Sequence, residues 1–162
     1  MKASFGFSDL WMRAVVQRVH EATVTADGHL SGKIGKGLLV FLGIEKSDTP
    51  DDVEWLAAKL PKLRCFEDQE GRMNANLLEA GGEAMVISQF TLYGSLKKGS
   101  RPSFNRAADP QLAIPLYERF VECLSGHLDK AVATGVFGAH MDIVASNDGP
   151  VTLIIDTRNK DL

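Results

Sequence analysis

The stretch from Leu38 to Ile44, "LLVFLGI", decides the fold of this chain. It is a continuous apolar run, without the alternation of polar and apolar residues that marks a strand with one wet face. An apolar run of this length is typical of a strand that is buried on both faces. The sequence therefore predicts a sheet whose central strand, at residues 38–44, is covered by other parts of the protein on each side.

The sequence before this strand alternates with a period of two residues. Two phases are present, the first with Val15, Gln17 and Val19 and the second with Ala22, Val24 and Ala26. A change of phase within one strand indicates a bulge or bend, here near His20 and Glu21. Asp27-Gly28 then predicts a tight hairpin turn.

A first helix is predicted directly after the central strand. Thr49 is a suitable capping residue, Pro50 suits the first helical position, and two aspartates follow at the positive end of the helix dipole. Apolar residues at i, i+3, i+4 and i+7 from Val53 form one stripe. Pro61 is expected to end the helix or to kink its last turn.

A second helix is indicated at Asp109-Pro110, with Pro115 as an alternative start for its regular part and Gly126 just past its end. Residues 67–82 between the two helices are predicted to be mostly loop, and a strand is expected from Ala84.

The C-terminal part, residues 132–155, predicts two or three strands. Asp148-Gly149 stands between the apolar runs "MDIV" and "VTLIID", where a hairpin turn is expected. Pro150 makes that turn unusual, because it removes a backbone donor where the returning strand should begin to pair. The pattern as a whole predicts one α+β domain with a mixed or antiparallel, barrel-like sheet and two main helices.

Composition limits the possible functions. The chain has 162 residues, a net charge of −3, 44% hydrophobic residues and 24% charged residues, which is average for a globular protein. A nucleic-acid partner would therefore have to bind a local basic patch. Cys65 and Cys123 are interpreted as reduced thiols of a cytoplasmic protein, with a disulfide as the less favoured alternative. No apolar run approaches about 18 residues, so no membrane contact is predicted.

Residues 1–11, "MKASFGFSDLW", lack the apolar stretch of a signal peptide. Patterned sequence begins at Met12, which could itself be a start. We interpret residues 1–11 as an upstream extension that is mobile at its outer end, and residues 12–162 as the domain.

Several common kinds of site are not supported by the sequence. The four histidines show no pair at helical metal spacing and no Cys-x-x-Cys companion, so we predict no metal and no cofactor. Ser95 and Lys98 match a Ser-x-x-Lys pattern of some acyl-transferring enzymes, but the companion motifs are missing.

Polar residues follow the strand that begins at Ala84. Ser88, Gln89, Phe90 and Thr91 lie where this strand runs into a loop, a place where polar groups are both rigid and accessible. The simpler explanation is that Ser88 and Thr91 satisfy backbone groups at a strand end.

A basic segment comes next. It carries Lys97, Lys98, Arg101 and Arg106 before the next acidic residue, Asp109. Such a cluster on an acidic chain suits a phosphate backbone, although a solvated basic loop explains it nearly as well.

The chain resembles a known family in these same segments. "SQFTL" at Ser88–Leu92 and "NDGPVT" at Asn147–Thr152 resemble the two signature motifs of the D-aminoacyl-tRNA deacylases, the D-Tyr-tRNA deacylase family. The opening "MRAVVQRVHEATVTADG", the central strand and "KKGSRPSFNRAA" are similar to that family too. The resemblance runs in unbroken order from Met12 to the C-terminus.

This resemblance implies an obligate homodimer that hydrolyses the ester of D-aminoacyl-tRNA, and of glycine mischarged on tRNA-Ala. In the family, the Gly-Pro bond is cis and enters the active site of the dimer partner. Gly149 and Pro150 are thus expected to form a main-chain wall that excludes L-aminoacyl groups, and the basic segment is expected to contact the tRNA acceptor stem.

Two mechanisms remain open for the first motif. Thr91 could be a nucleophile, although no neighbouring base is apparent in the sequence. Alternatively, the tRNA 2′-hydroxyl helps to activate water, and the N–H groups of Phe90 and Thr91 stabilise the oxyanion. We prefer the second, in which Ser88 and Gln89 orient the substrate and Phe90 packs against the base or supports the pocket floor.

Two rival functions are also kept. The chain could be a non-catalytic RNA- or protein-binding module, or a related deacylase with a trans Gly-Pro bond and relaxed chiral selection.

Overall fold

The computed structural model describes residues 11–159, which form a mixed sheet and two helices. The strands are β1 (Arg13–Ala26), β2 (His29–Ile34), β3 (Gly37–Gly43), β4 (Phe66–Glu67), β5 (Met73–Ala75), β6 (Glu83–Ser88), β7 (Ala133–Thr134) and β8 (Met141–Asp156); the helices are α1 (Pro50–Lys59) and α2 (Pro110–Leu128). β4 and β5 pair only with each other, and the other six strands form one sheet. The stretch 67–82 is mostly loop, as predicted.

Strand β3 lies at the centre of the sheet. It pairs antiparallel with β1 and parallel with β6, which makes the sheet mixed. Leu38, Val40 and Leu42 pack in the core beneath the helices, whereas Leu39 and Phe41 belong to a second apolar cluster on the opposite face. The prediction of a strand covered on both faces is confirmed.

The long strand β1 organises the rest of the sheet. Its first half pairs with β3, its second half pairs with β2, and β8 runs antiparallel along its whole length. Arg18 and Val19 are both buried although they are consecutive, and the β1–β8 register shifts between Gln17 and Glu21. The predicted bulge is therefore confirmed. β2 returns beside β7, so that the sheet is nearly closed into a barrel.

The predicted hairpin at Asp148-Gly149 is wrong. β8 continues through this segment: Thr152 pairs with Gln17 and Asn147 pairs with Val19, so residues 148–151 bulge opposite the single residue Arg18. Because both apolar runs pair antiparallel with β1, the chain keeps the same direction from one run to the next. The C-terminal part thus has two strands, β7 and β8.

The start of α1 agrees with its sequence signals. Thr49 is the cap, Pro50 is the first helical residue, and the Asp52 carboxylate accepts the Thr49 backbone N–H at 2.9 Å. After Lys59 the chain tightens into a 3-10 turn that contains Pro61, as predicted.

Helix α2 starts where Asp109-Pro110 predicted, whereas the alternative start at Pro115 and the end before Gly126 are wrong. It begins at Pro110, where the Asp109 side chain accepts the Leu112 N–H at 3.2 Å, and Pro115 lies inside it. Gly126 does not end the helix, which continues to Leu128 because the last turn buries that side chain in the core. The α+β fold with two main helices in a single domain is confirmed.

Of the predicted extension 1–11, residues 1–10 lie outside the described residues. Trp11 is packed: its ring lies 3.5 Å from the Arg158 guanidinium, and its carbonyl oxygen accepts the Tyr93 hydroxyl at 2.6 Å. In residues 11–159, no helix has both the length and the apolar character needed to cross a bilayer.

Candidate active site

The first motif lies at the end of β6, held against the central strand. Ser88 pairs with Leu42, and the Gln89 N–H donates to the Leu42 carbonyl oxygen at 2.8 Å. A 3-10 turn, Phe90–Tyr93, follows at once. The buried Tyr93 hydroxyl donates to the Gly43 carbonyl oxygen at 2.9 Å, and burial raises the pKa of this hydroxyl, which keeps it a donor. The turn is therefore rigidly anchored.

A cleft of about 300 Å³ opens beside this turn. Ser88, Gln89 and Phe90 line one side of it. The remaining lining residues are mainly apolar or small and include Ile44, Ile87, Ala108, Phe137, His140, Met141 and Ile143. Concave, mainly apolar sites with a few polar groups are typical of small-ligand binding.

Residues 137–141 were missed by sequence reasoning. They comprise the end of the connection between β7 and β8 and the first residue of β8, and only the near-closure of the sheet brings them to the cleft. No local pattern marks them, because their place depends on strand pairing far away in the chain.

Thr91 lies next to the cleft and is exposed. The Gln89 side-chain amide donates to its Oγ1. Within residues 11–159, no histidine or carboxylate hydrogen-bonds to this hydroxyl, so no base is positioned to activate it. The first backbone hydrogen bond within the turn joins the Leu92 N–H to the Gln89 carbonyl oxygen at 3.4 Å. The N–H groups of Phe90 and Thr91 lie before this bond, so the turn itself provides no acceptor for them.

The Phe90 ring is exposed and packs edge-on against Phe104, with 5.1 Å between ring centroids. Phe104 follows a short loop that is closed by the Ser95–Ser103 bridge. The exposed residues Lys97, Lys98 and Arg101 lie on this loop, while Arg106 is half-buried beyond it. The basic segment is thus connected to the cleft through two aromatic rings in edge-on contact.

The second motif does not join the first within one chain. The Gly149-Pro150 peptide bond is cis and both residues are exposed. Near its start, β8 contributes Met141 and Ile143 to the cleft, but Gly149 and Pro150 follow six and seven residues after Ile143 on the same strand. Six strand residues span about 20 Å. The cleft of the same chain is therefore lined by neither Gly149 nor Pro150.

Arg18 holds this bulge and was missed by sequence reasoning. Its side chain is 7% exposed. Its guanidinium donates to the Asp148 carbonyl oxygen at 3.1 Å and to the Cys65 carbonyl oxygen at 2.7 Å. The alternation of β1 could have identified it. Ala14 and Val16 are buried on the inward side of the strand, and Arg18 takes the next position on that side.

Among the described residues, no three histidine, cysteine, aspartate or glutamate side chains come together as metal ligands would. Cys65 is buried and Cys123 is half-buried, and both are free thiols.

The family model described as "D-Tyr-tRNA(Tyr) deacylase" matches residues 15–156 of this chain. A D-aminoacyl-tRNA deacylase of Parabacteroides distasonis is 57% identical over 150 residues, which are 93% of this chain and all of that protein. A protein of the same name from Opitutus terrae is 55% identical with the same coverage.

Solved structures share the fold. A c-Myc DNA unwinding element binding protein matches with a TM-score of 0.83 and 37% identity over 90% of this chain and 98% of that one. A probable eukaryotic D-amino acid tRNA deacylase, at 17% identity, has the same fold with a TM-score of 0.78 over the same shares of the two chains. By its full-length similarity, the chain belongs to the D-Tyr-tRNA(Tyr) deacylase family.

Proposed function

We propose that this protein hydrolyses the ester that joins a D-amino acid to the 3′-terminal adenosine of tRNA. The observation that carries the proposal is the cleft at the end of β6, where Ser88, Gln89 and Phe90 of the family-like motif line an apolar pocket. A cleft of this size suits an aminoacyl-adenosine rather than a longer stretch of nucleic acid. Because the substrate is a tRNA, the cytoplasm is the proposed location.

The chemistry requires positioning more than a strong nucleophile. Water adds to the ester carbonyl carbon, the carbon–oxygen bond to the 3′-oxygen breaks, and that oxygen leaves with a proton as the tRNA hydroxyl. The N–H groups of Phe90 and Thr91 are available for the oxyanion that forms. The absence of a base beside Thr91 in the described chain supports water, assisted by the tRNA 2′-hydroxyl, over a Thr91 nucleophile.

Selection against L-amino acids is assigned to the main chain of Gly149 and Pro150. These residues protrude from β8 and are held from behind by Arg18. A main-chain wall rejects an L-residue by steric exclusion whatever its side chain, so one site accepts many D-amino acids. Glycine has no side chain to exclude, and glycyl-tRNA, including glycine mischarged on tRNA-Ala, is therefore a further proposed substrate.

The wall must come from a second copy of the chain. Within one subunit, Gly149 lies six residues beyond Ile143 on β8, about 20 Å from the part of the strand that lines the cleft, which supports a partner as its source. Strand β8 offers a surface for that partner: within residues 11–159 no strand pairs with its outer edge, and Val144 and Ile154 on it are 73% and 50% exposed. The proposed active unit is a homodimer.

The basic loop is assigned to the acceptor stem. Lys97, Lys98 and Arg101 are exposed on a loop whose base packs against Phe90 at the cleft. Positive charges beside the site where the 3′ end enters would neutralise phosphates of the adjoining stem.

One assay tests the activity and its chirality together. D-tyrosyl-tRNA, L-tyrosyl-tRNA and glycyl-tRNA-Ala are incubated with the protein, and Gln89→Ala protein purified in the same way serves as the control for contaminating esterases. We expect rapid loss of the D-tyrosyl and glycyl esters and survival of the L-tyrosyl ester. Survival of all three would identify a binding module instead, and loss of the L-ester would identify a deacylase without a chiral filter.

A further inference from the structure

The basic loop combines charge with an exposed apolar side chain. Leu96 begins the loop of residues 96–102 and is 63% exposed, directly before Lys97 and Lys98. We propose that Leu96 packs on the end face of the acceptor stem, against its terminal base pair, while the neighbouring cations contact phosphates. The inference rests on the proposed tRNA substrate. It names a contact by which the protein would bind aminoacyl-tRNA in preference to a free aminoacyl-adenosine.

The loop is held firmly enough for such a contact. Two backbone hydrogen bonds close it: the Ser95 N–H donates to the Ser103 carbonyl oxygen at 2.8 Å, and the Ser103 N–H donates to the Ser95 carbonyl oxygen at 3.0 Å. Inside the loop, Gly99 adopts a φ of 121°, and its N–H donates to the Leu96 carbonyl oxygen at 3.4 Å. Leu96 therefore projects from a closed turn with a defined backbone.

Both ends of the loop are attached to the cleft. On the N-terminal side, the chain runs directly from the anchored turn that contains Thr91. On the C-terminal side, the Phe104 ring packs on Phe90, and the Ala108 N–H, next to the cleft, donates to the Ile44 carbonyl oxygen at 2.9 Å. The position of the loop relative to a substrate in the cleft is thus set by the fold.

The distances suit the end of a tRNA. Leu96 follows Thr91 by five residues, so their Cα atoms are at most about 17 Å apart. At the rise of about 3.4 Å per nucleotide of a duplex strand, three or four nucleotides cover about 10–14 Å, and an overhang that turns away from the stem axis into the cleft leaves the end face of the last base pair open. When the terminal adenosine occupies the cleft, the end of the double-stranded stem lies within the range that the chain from Thr91 to Leu96 can reach.

The chemistry of the loop matches a stem end better than a continuous duplex. Phosphates attract the lysines, but a duplex wall offers little apolar surface to a leucine. The end face of a stem exposes the flat, apolar face of its last base pair, and packing against a base face is tolerant of sequence. Leu96 would then favour aminoacyl-tRNA over a free aminoacyl-adenosine.

The test compares two substrates with the same reacting ester, D-tyrosyl-tRNA and 3′-D-tyrosyl-adenosine. We expect Leu96→Ser to lower kcat/KM for the tRNA about five- to tenfold, at the low end of base-stacking effects, and to leave the adenosine ester unchanged. Leu96→Phe should restore the tRNA rate. Leu78→Ser is the matched control, because Leu78 is 50% exposed in the loop before β6, at the opposite end of that strand from the cleft.

The possible outcomes are distinct. An unchanged tRNA rate for Leu96→Ser, or an equal loss on both substrates, overturns the stacking contact while the deacylase function stands. If wild-type protein hydrolyses neither substrate, the proposed function fails and the contact fails with it. The dependence of the tRNA rate on salt should stay unchanged in Leu96→Ser, because the substitution removes no charge.

Discussion

Arg18 and Asp148 face each other across the β1–β8 bulge, where the arginine Nε donates to the aspartate carbonyl oxygen at 3.1 Å. The same guanidinium is within 3.2 Å of the Asp148 carboxylate and binds the Cys65 carbonyl oxygen at 2.7 Å. A buried guanidinium therefore connects the core directly to the residue before Gly149. This contact makes the position of an exposed peptide depend on a buried side chain.

Replacement of Arg18 should impair chiral selection before it impairs folding. In Arg18→Lys the charge remains, but a single ammonium cannot reproduce the planar fork that binds two separate carbonyl groups. We expect the ratio of D-tyrosyl to L-tyrosyl hydrolysis to fall at least about tenfold, as the loss of one charged hydrogen bond implies. His20→Ala is the control, since His20 also approaches Asp148, at 3.6 Å, but is 64% exposed. Equal D-to-L ratios in the two variants would contradict the assignment.

Gly149 should not tolerate a side chain. Its φ is 135°, and an added Cβ would lie 2.7 Å from the Val151 nitrogen, so the bulge has to move in Gly149→Ala. We expect loss of deacylation, together with about 1–3 kcal/mol of destabilisation in urea unfolding. Gly126→Ala is the control: this glycine lies inside α2 with open space at the Cβ position, so activity should be kept.

Subunit mixing tests whether the two motifs act across a dimer. Gln89→Ala and Gly149→Ala chains are each inactive alone under our proposal. After unfolding and refolding together, about a quarter of wild-type activity should return, because half of the dimers are mixed and each contains one intact site. If both motifs served the same chain, no activity would return.

Substitution of Thr91 separates the two mechanisms. Its hydroxyl accepts a hydrogen bond from Gln89 and has no base beside it in residues 11–159. We expect Thr91→Ala to keep kcat within about tenfold of wild type, since loss of a required nucleophile costs far more. Single-turnover kinetics with D-tyrosyl-tRNA provide the measurement. A fall of several orders of magnitude that Thr91→Ser rescues would establish a nucleophile instead.

The basic loop should determine the salt dependence of tRNA hydrolysis. Lys98→Gln with Arg101→Gln removes two exposed charges, and the slope of log kcat/KM against log salt should become shallower by about 1–2. Lys33→Gln with Lys62→Gln removes two exposed charges elsewhere and should leave the slope unchanged. If the two pairs behave alike, the loop is only solvated surface.

The stability of the fold should depend on the Asp52 carboxylate in acid. Burial opposes its ionisation, but hydrogen bonds from Arg158, the Thr49 N–H and Thr157 outweigh burial and lower its pKa to about 2. Because the folded pKa lies below the unfolded value, the stabilisation is present above about pH 4 and is lost as the pH falls towards 2. With Arg158 partly solvated, we expect about 1–2 kcal/mol.

Urea unfolding between pH 2 and pH 6 measures this effect. The difference between wild type and Arg158→Met should be largest above pH 4 and should shrink towards pH 2. Arg64→Met is the control, since the partner of Arg64 is the uncharged Asn74 side chain, and its difference from wild type should not vary with pH. A constant difference for Arg158→Met would contradict the assignment.

The sequence by itself determined the local elements and the family. An apolar run predicted the buried strand β3, and Thr49-Pro50 predicted the start of α1, because strand burial and helix capping depend on residues close together in the chain. The two motifs were recognisable for the same reason, as short and continuous segments.

Tertiary structure alone decided how these segments meet. Gly149 lies on a bulge rather than in a hairpin because both flanking runs pair with β1, more than a hundred residues earlier in the chain. Arg18 contacts Asp148 at that bulge, and residues 137–141 complete the cleft, for the same reason. Pairing between distant strands is set by the register of the whole sheet, which no local pattern contains.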